Sequence, residues 1–205
     1  ANISTEFSFT DFLPDGAPLV VTLEIINDEF SGGFGETTQV LVEGDALASP
    51  AGFNALAAAV DAMADTTDVI VIDTPAGPRA QVRSPVSIVQ GLFVPGPDGL
   101  PADPAAAQAV LDAGFEPATG RIAEDGDVLA VLDATRASTS GTELSTVLAV
   151  TDGRPTAALL EIGTQAGEST ALPLRDDLLD DLAPVTGAGL AAIVTSQYVI
   201  SSTIT

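Results

Sequence analysis

The side chains in this chain that could move a proton, hold a metal or attack an electrophile are carboxylates and hydroxyls. The 205 residues include no His and no Cys. That removes thiolate nucleophiles, Ser-His-Asp triads and His- or Cys-liganded zinc. It also removes the side chain best poised for proton transfer near neutral pH. Among the carboxylates, Asp73-Thr74 follows an apolar run, where a general base or an ion ligand could sit. A base needs a positioned partner, and none lies nearby by spacing; the plainer reading is a polar strand end that begins the turn at Pro75. Glu124, Asp125 and Asp127 surround Gly126 and could offer oxygens to Ca²⁺. Their spacing departs from the EF-hand loop, and Asp127 is already accounted for as a helix cap. Asp176, Asp177, Asp180 and Asp181 form one acidic helix face, which reads as solvated surface rather than a cation site. Gly32, Gly33 and Gly35 look like a phosphate loop, but such a loop follows a strand and opens a helix. Here the order is helix, loop, strand, so nucleotide binding is rejected. The residues thus assign no catalytic group, no cofactor and no metal.

The charge balance narrows the partners. Twenty-nine acidic residues stand against six basic ones, giving a net charge of −23, and all six basic residues are Arg. Nucleic acid is excluded as a partner, because phosphate binding needs Lys and Arg patches. An anionic lipid surface is disfavoured for the same reason. So large a like-charge field strains a fold at low ionic strength. At molar salt the Debye length falls to about 3 Å and the repulsion fades. The acidity therefore reads as the solvent adaptation of a protein from a high-salt organism; the functional alternative is a cation-binding surface. Hydrophobic residues make up 46% of the chain, enough for a substantial core and too many for a disordered tail. The absence of Cys suits either a reducing compartment or an exterior domain without disulfides. Ala1–Thr10 lacks the positive and apolar regions of a signal peptide, and no stretch reaches the roughly 18 apolar residues of a membrane span. The chain itself is expected to be soluble.

Several elements must hold these residues in place. Phe7, Phe9, Phe12 and Leu13 make an apolar leading segment, broken by Pro14-Asp15-Gly16. Pro18 opens a helix along Leu19, Leu23, Ile26 and Phe30, stopped by Gly32-Gly33. Residues 38–43 read as a strand. Ser49-Pro50 caps an amphipathic helix with Phe53, Leu56, Ala57, Val60 and Met63 on its apolar face. Asp68-Val-Ile-Val-Ile72 reads as a buried strand ended by Pro75 and Gly77. In the middle, Pro85–Phe93 suits a short helix or strand. Asp103-Pro104 caps an Ala-rich helix stopped by Gly114, and Asp127 caps another with Val128, Val131 and Leu132 on one face, interrupted at Ser138–Gly141. Asp152-Gly153 is a turn into a strand over 156–164. Pro173 opens a helix with Leu174, Leu178, Leu179 and Leu182 along one face, ended by Pro184 and Gly187. Leu190–Thr195 is the last strand.

Two β-α-β units in one chain predict an α+β, ferredoxin-like split β-α-β domain, with strands 38–43, 68–72, 156–164 and 190–195 in one antiparallel sheet. The expected organisation is a leading segment over 1–15, a first half over 16–77, a mainly helical insertion over 78–150, a second half over 151–197 and a closing segment over 198–205.

The order of several segments resembles the first exterior loop of RND-superfamily exporters, most closely the MMPL-like, hydrophobe-exporter branch. Phe7-Ser-Phe-Thr-Asp-Phe-Leu-Pro-Asp-Gly16 is similar to the "Phe-Leu-Pro" segment that follows the first membrane helix there. Ile26-Asn-Asp-Glu-Phe30-Ser-Gly-Gly and Gln39-Val-Leu-Val-Glu-Gly-Asp45 resemble the helix and strand that come next. Asp152-Gly-Arg-Pro-Thr-Ala-Ala-Leu-Leu160 is similar to the strand entering the second unit. Ile193-Val-Thr-Ser196 through Thr205 resembles the approach to the second membrane helix. The likeness covers both ends and is weak over 78–150. It implies an extracytoplasmic porter domain on the outer side of the cell membrane, with no enzymatic activity. Its implied partners are the membrane-spanning part and second porter domain of the same transporter, and its implied cargo is a hydrophobic small molecule or lipid. Within that reading Phe7, Phe9, Phe12 and Phe34 line a substrate path or an interface; as ordinary residues they are core. The alternatives are a halophilic cell-surface or secreted binding domain, and a hydrolase working with carboxylates alone. The last requires a carboxylate pair in a pocket with a pKa raised by burial.

Overall fold

In the computed structural model, residues 37–74, 77–166 and 170–195 are described. The leading segment with Phe7, Phe9 and Phe12, the helix expected from Pro18, the glycine loop with Phe34, and the stretch after Thr195 lie outside the described residues.

Among the described residues the first element is β1 (Thr37–Glu43), whose alternation sets Thr38, Val40 and Val42 to the interior. Gly44, at φ 140, turns the chain into a 3₁₀ turn (Asp45–Ala48). Helix α1 (Pro50–Ala62) follows, with Ser49 accepting from the Gly52 amide and Pro50 in the first turn, as the sequence predicts. A second 3₁₀ turn (Met63–Asp65) leads to β2 (Val71–Thr74), β3 (Gly77–Ala80) and β4 (Val82–Arg83). Helices α2 (Pro85–Gly91) and α3 (Pro104–Asp112), the short pair β5 (Phe115–Glu116) and β6 (Arg121–Ile122), and helices α4 (Val128–Ala137) and α5 (Gly141–Val147) fill the middle. Strands β7 (Leu148–Thr151) and β8 (Arg154–Gly163), helices α6 (Ala171–Asp181) and α7 (Ala183–Gly187), and β9 (Ala191–Thr195) complete it.

The fold is α+β with an antiparallel main sheet in the order β4-β8-β1-β9, and β7 also pairs with β8. Val40 faces Leu160 on one side and Val194 on the other. Val40, Val42, Leu160 and Ile162 are buried in one core with Phe53 and Leu56 of α1 and Leu174 and Leu178 of α6. The opposite sheet face sets Leu41 in register with Leu159 and Ile193, the last 55% exposed. The caps expected at Asp103 and Asp127 are in place, each side chain accepting an amide from the first turn. The middle helices share the core rather than forming their own, since Val110, Val131, Leu132 and Leu144 belong to the same cluster.

Three expectations are corrected. The buried strand at 68–72 does not join the sheet as a strand. Val69 makes a single bridge to Thr164, then β2 and β3 leave as a separate two-stranded ribbon. The chain rejoins the same edge at β4, where Val82 faces Ile162. The Ile70 amide bonds Gly163 O, the Gln81 amide bonds Ile70 O, and the Gly163 amide bonds Gln81 O, closing the base of the excursion. Leu179 lies off the buried face of α6 and is 43% exposed, while Leu174, Leu178 and Leu182 are buried. Pro184 does not end α6; it sits in the first turn of α7, a position its missing N–H suits.

Candidate functional site

The ribbon excursion has a consequence for the surface. It stands beside α1 and α2, and between them opens a groove of about 1080 Å³. That is the size of a small-molecule site, for which roughly 300–1000 Å³ is usual. Its apolar lining comes from Val60 of α1, Ile72 of β2, Val86 of α2, and Phe93, Val94 and Pro95 just beyond α2. Ile72 is 46% and Val94 65% exposed, so the groove presents large apolar side chains to solvent. Such exposure marks binding surfaces more often than single scattered residues do.

Each wall has a local cause. Ser84 and Ser87 make reciprocal bonds at the start of α2, the Ser87 amide donating to Ser84 Oγ (3.2 Å) and the Ser84 amide to Ser87 Oγ (2.8 Å). Ser87 lines the groove, but its hydroxyl donates to Ser84 O at 3.0 Å. The loop 117–119 is held by Gln90 Nε2 donating to Pro117 O (2.8 Å) and Arg79 Nη2 donating to Ala118 O (2.6 Å). Gly120 approaches so closely that a Cβ there would meet Val86 Cγ1 at 2.8 Å, and its φ of 68 suits glycine. Asn54 reads the backbone of Ile122 twice, donating to its carbonyl at 2.8 Å and accepting from its amide at 2.7 Å. Phe115 meets Phe53 edge-on (6.4 Å between centroids) and stacks on Phe93 (6.0 Å). The groove is therefore anchored to the core through α1.

The charged lining is uneven. Asp61, Asp65 and Glu143 line the groove and are exposed; Asp61 pairs with Arg121 at 3.4 Å. Arg83 bonds Glu161 at 2.8 Å and Thr146 Oγ1 at 2.7 Å. Arg79 is half-buried and, like the exposed Arg154, forms no ion pair among the described residues, unlike Arg83, Arg121, Arg136 and Arg175.

The sequence-predicted sites do not converge here. Asp73 sits exposed in β2, while Thr74 lines the groove and donates to Gly77 O at 2.7 Å. Glu124 and Asp125 are exposed, and Asp127 is occupied as the cap of α4. Among the described residues no three carboxylates gather closely enough to hold a metal ion. The acidic face of α6 is exposed at Asp176, Asp177 and Asp180. Asp181 is half-buried and accepts a bond from Thr66 Oγ1 at 2.5 Å. Burial raises its pKa above the ordinary 3.8, the charges of Asp177, Asp180 and Asp65 raise it further, and the Thr66 hydrogen bond opposes them. Asp181 does not line the groove.

The residues that make the groove went unrecognised in the sequence, yet one signal marks them. From Thr74 to Pro97 there is no Asp or Glu, and two of the six Arg, Arg79 and Arg83, lie there. Most of the groove lining comes from this stretch. No helix among the described residues is long and apolar enough to cross a membrane. Compared with known protein families, with curated proteins and with solved structures, the chain has no match.

Proposed function

We propose that this chain is an extracytoplasmic porter domain of a membrane exporter, which binds, guides or gates a hydrophobic or amphiphilic substrate and carries no catalytic residue of its own. The observation that carries this reading is the groove. It is open, lined largely by apolar side chains, and braced by hydrogen bonds from Gln90 and Arg79 to the 117–119 loop. Its hydroxyls and carboxylates favour binding over chemistry: the Ser87 proton goes to a backbone carbonyl and Asp61 pairs with Arg121. A general base would need a free partner at hydrogen-bond distance from a nucleophile.

The strand order supports a ferredoxin-like split of two β-α-β units. In this reading β1 and β4 flank β8, with α1 in their crossover, and β8 and β9 flank β1, with α6 in theirs. The edge position expected of residues 68–72 is shared by Val69 and β4. The membrane-spanning part and a second porter domain of the same transporter are the proposed partners, and the domain stands on the outer side of the membrane.

The test is the reading frame on both sides of Ala1 and Thr205. An apolar span of about 20 residues shortly before Ala1 and several after Thr205 are expected. Flanks without spans would overturn the exporter and favour a halophilic cell-surface or secreted binding domain using the same groove.

A further inference from the structure

We propose that the groove takes a single-chain amphiphile with an anionic head, its tail lying along Val60, Ile72, Val86 and Phe93 and its head bonded to Arg79. This names the substrate class for the porter reading and rests on that reading for its biological purpose; the binding itself is a property of this chain.

The argument is one of charge placement. In a chain of net charge −23, the stretch from Thr74 to Pro97 has no Asp or Glu and two of the six Arg, whereas the other acid-free stretch of that length, Leu182 to Thr205, has no Arg. That stretch supplies most of the groove. Of its two guanidinium groups, Arg83 is engaged by Glu161 and Thr146. Arg79 donates from Nη2 to the Ala118 carbonyl and pairs with no carboxylate among the described residues. A guanidinium has five N–H donors in a planar fork that fits a carboxylate or phosphate. The tie to Ala118 holds the fork at the groove and leaves donors for a ligand.

The three carboxylates of the lining argue the other way and are weaker. Asp61, Asp65 and Glu143 are exposed, and Asp61 is already paired. Exposed charges are well solvated and are screened by the salt this chain is built for. Arg79 is half-buried beside apolar side chains, where an opposite charge counts for more. A groove serving a cationic head would place its buried charge on a carboxylate instead.

The experiment is titration of the chain in molar KCl with dodecanoate, dodecanol and dodecyltrimethylammonium, each below its micelle concentration, followed by calorimetry or displacement of a fluorescent apolar dye. Dodecanoate is expected to saturate one site about tenfold more tightly than either of the others, the increment of one charge-assisted hydrogen bond. Arg79→Gln should remove that preference for the anionic head, and Arg79→Lys, which keeps the charge, should restore part of it. Val60→Asp should weaken dodecanoate and dodecanol, with its own melting curve as the check that it folds. Equal binding of the three heads, a preference for dodecyltrimethylammonium, or indifference to Arg79→Gln would each overturn the proposal. The two readings fail separately. Flanks without membrane spans remove the exporter and leave dodecanoate binding in place, whereas spans without dodecanoate preference remove only the ligand assigned here.

Discussion

Asp181 illustrates how a residue in an acidic helix face acquires a role from its neighbours. It follows Asp177 by one helical turn, and the 3₁₀ turn brings Asp65 and Thr66 to it from another part of the chain. Its folded-state pKa is raised, so between 3.8 and that higher value the native state binds more proton than the unfolded one. Stability contributed here is therefore largest below 3.8 and falls as pH rises through the folded pKa. At neutral pH the charged carboxylate is a net burden. Asp181→Asn keeps an acceptor for the Thr66 hydroxyl and drops the charge. It should raise stability by roughly 0.5 kcal/mol at neutral pH and low salt, the scale of relieving one i,i+4 like-charge pair. The gain should vanish below pH 3.8 and shrink in molar salt, as read by urea unfolding across pH.

Elements place their own constraints on single positions, and two glycines separate them. Gly52 lies in the first turn of α1, beneath the preceding 3₁₀ turn, where a Cβ would come within 2.0 Å of Ala46 O. Gly153 lies at φ 77 beside Asp152 at φ 52, the positive pair that a two-residue I′ hairpin between β7 and β8 requires, with open space around it. Ala in a helix usually gains about 1 kcal/mol over Gly. At Gly52 that gain is overrun by backbone overlap, and Gly52→Ala should cost about 3 kcal/mol. Gly153→Ala meets no atom and should cost only about 1 kcal/mol, the penalty of a left-handed Ala. Gly153→Asn should cost less still. Thermal melts of the three variants check the order. The β2–β3 excursion belongs to the same scale. An apolar run such as Val69–Ile72 satisfies the pattern of a buried strand, yet Val71 and Ile72 are 42% and 46% exposed because the ribbon leaves the sheet. Within the run Val69 packs into the core, while Ile72 lines the groove.

At the scale of the whole molecule, charge and packing pull in opposite directions. The core is continuous from the sheet through α1 and the middle helices, while 29 carboxylates crowd the chain against 6 guanidinium groups. Four ion pairs are formed among the described residues, all with partly exposed partners, and pairs of that kind contribute little. The repulsion must be relieved by solvent ions. Raising KCl from about 0.1 M to molar shortens the Debye length from about 10 Å to about 3 Å. The melting temperature should rise by roughly 10 °C over that range, the shift expected of about 3–4 kcal/mol in a domain of this size. A flat response would show that the carboxylates are spaced widely enough not to repel.

The sequence by itself determined what local chemistry can determine. Pro50 behind Ser49, Pro104 behind Asp103, and Asp127 before an apolar-periodic run each satisfy amide groups within a single turn, so those helices start where expected. Strand β1 and the Asp152-Gly153 turn are legible for the same reason: period and turn chemistry act over a few residues. Composition alone excluded thiol and imidazole chemistry. Only the tertiary structure decided which strand occupies the sheet edge, because that depends on where Gly163 meets Ile70 and Gln81, residues more than eighty positions away. It alone gathered Val60, Arg79, Phe93 and Glu143 around one groove. It alone left Arg79 without a carboxylate among the described residues. Ion pairing is a matter of distance in space, falling off over a few ångströms, and the order of residues along the chain does not carry that distance.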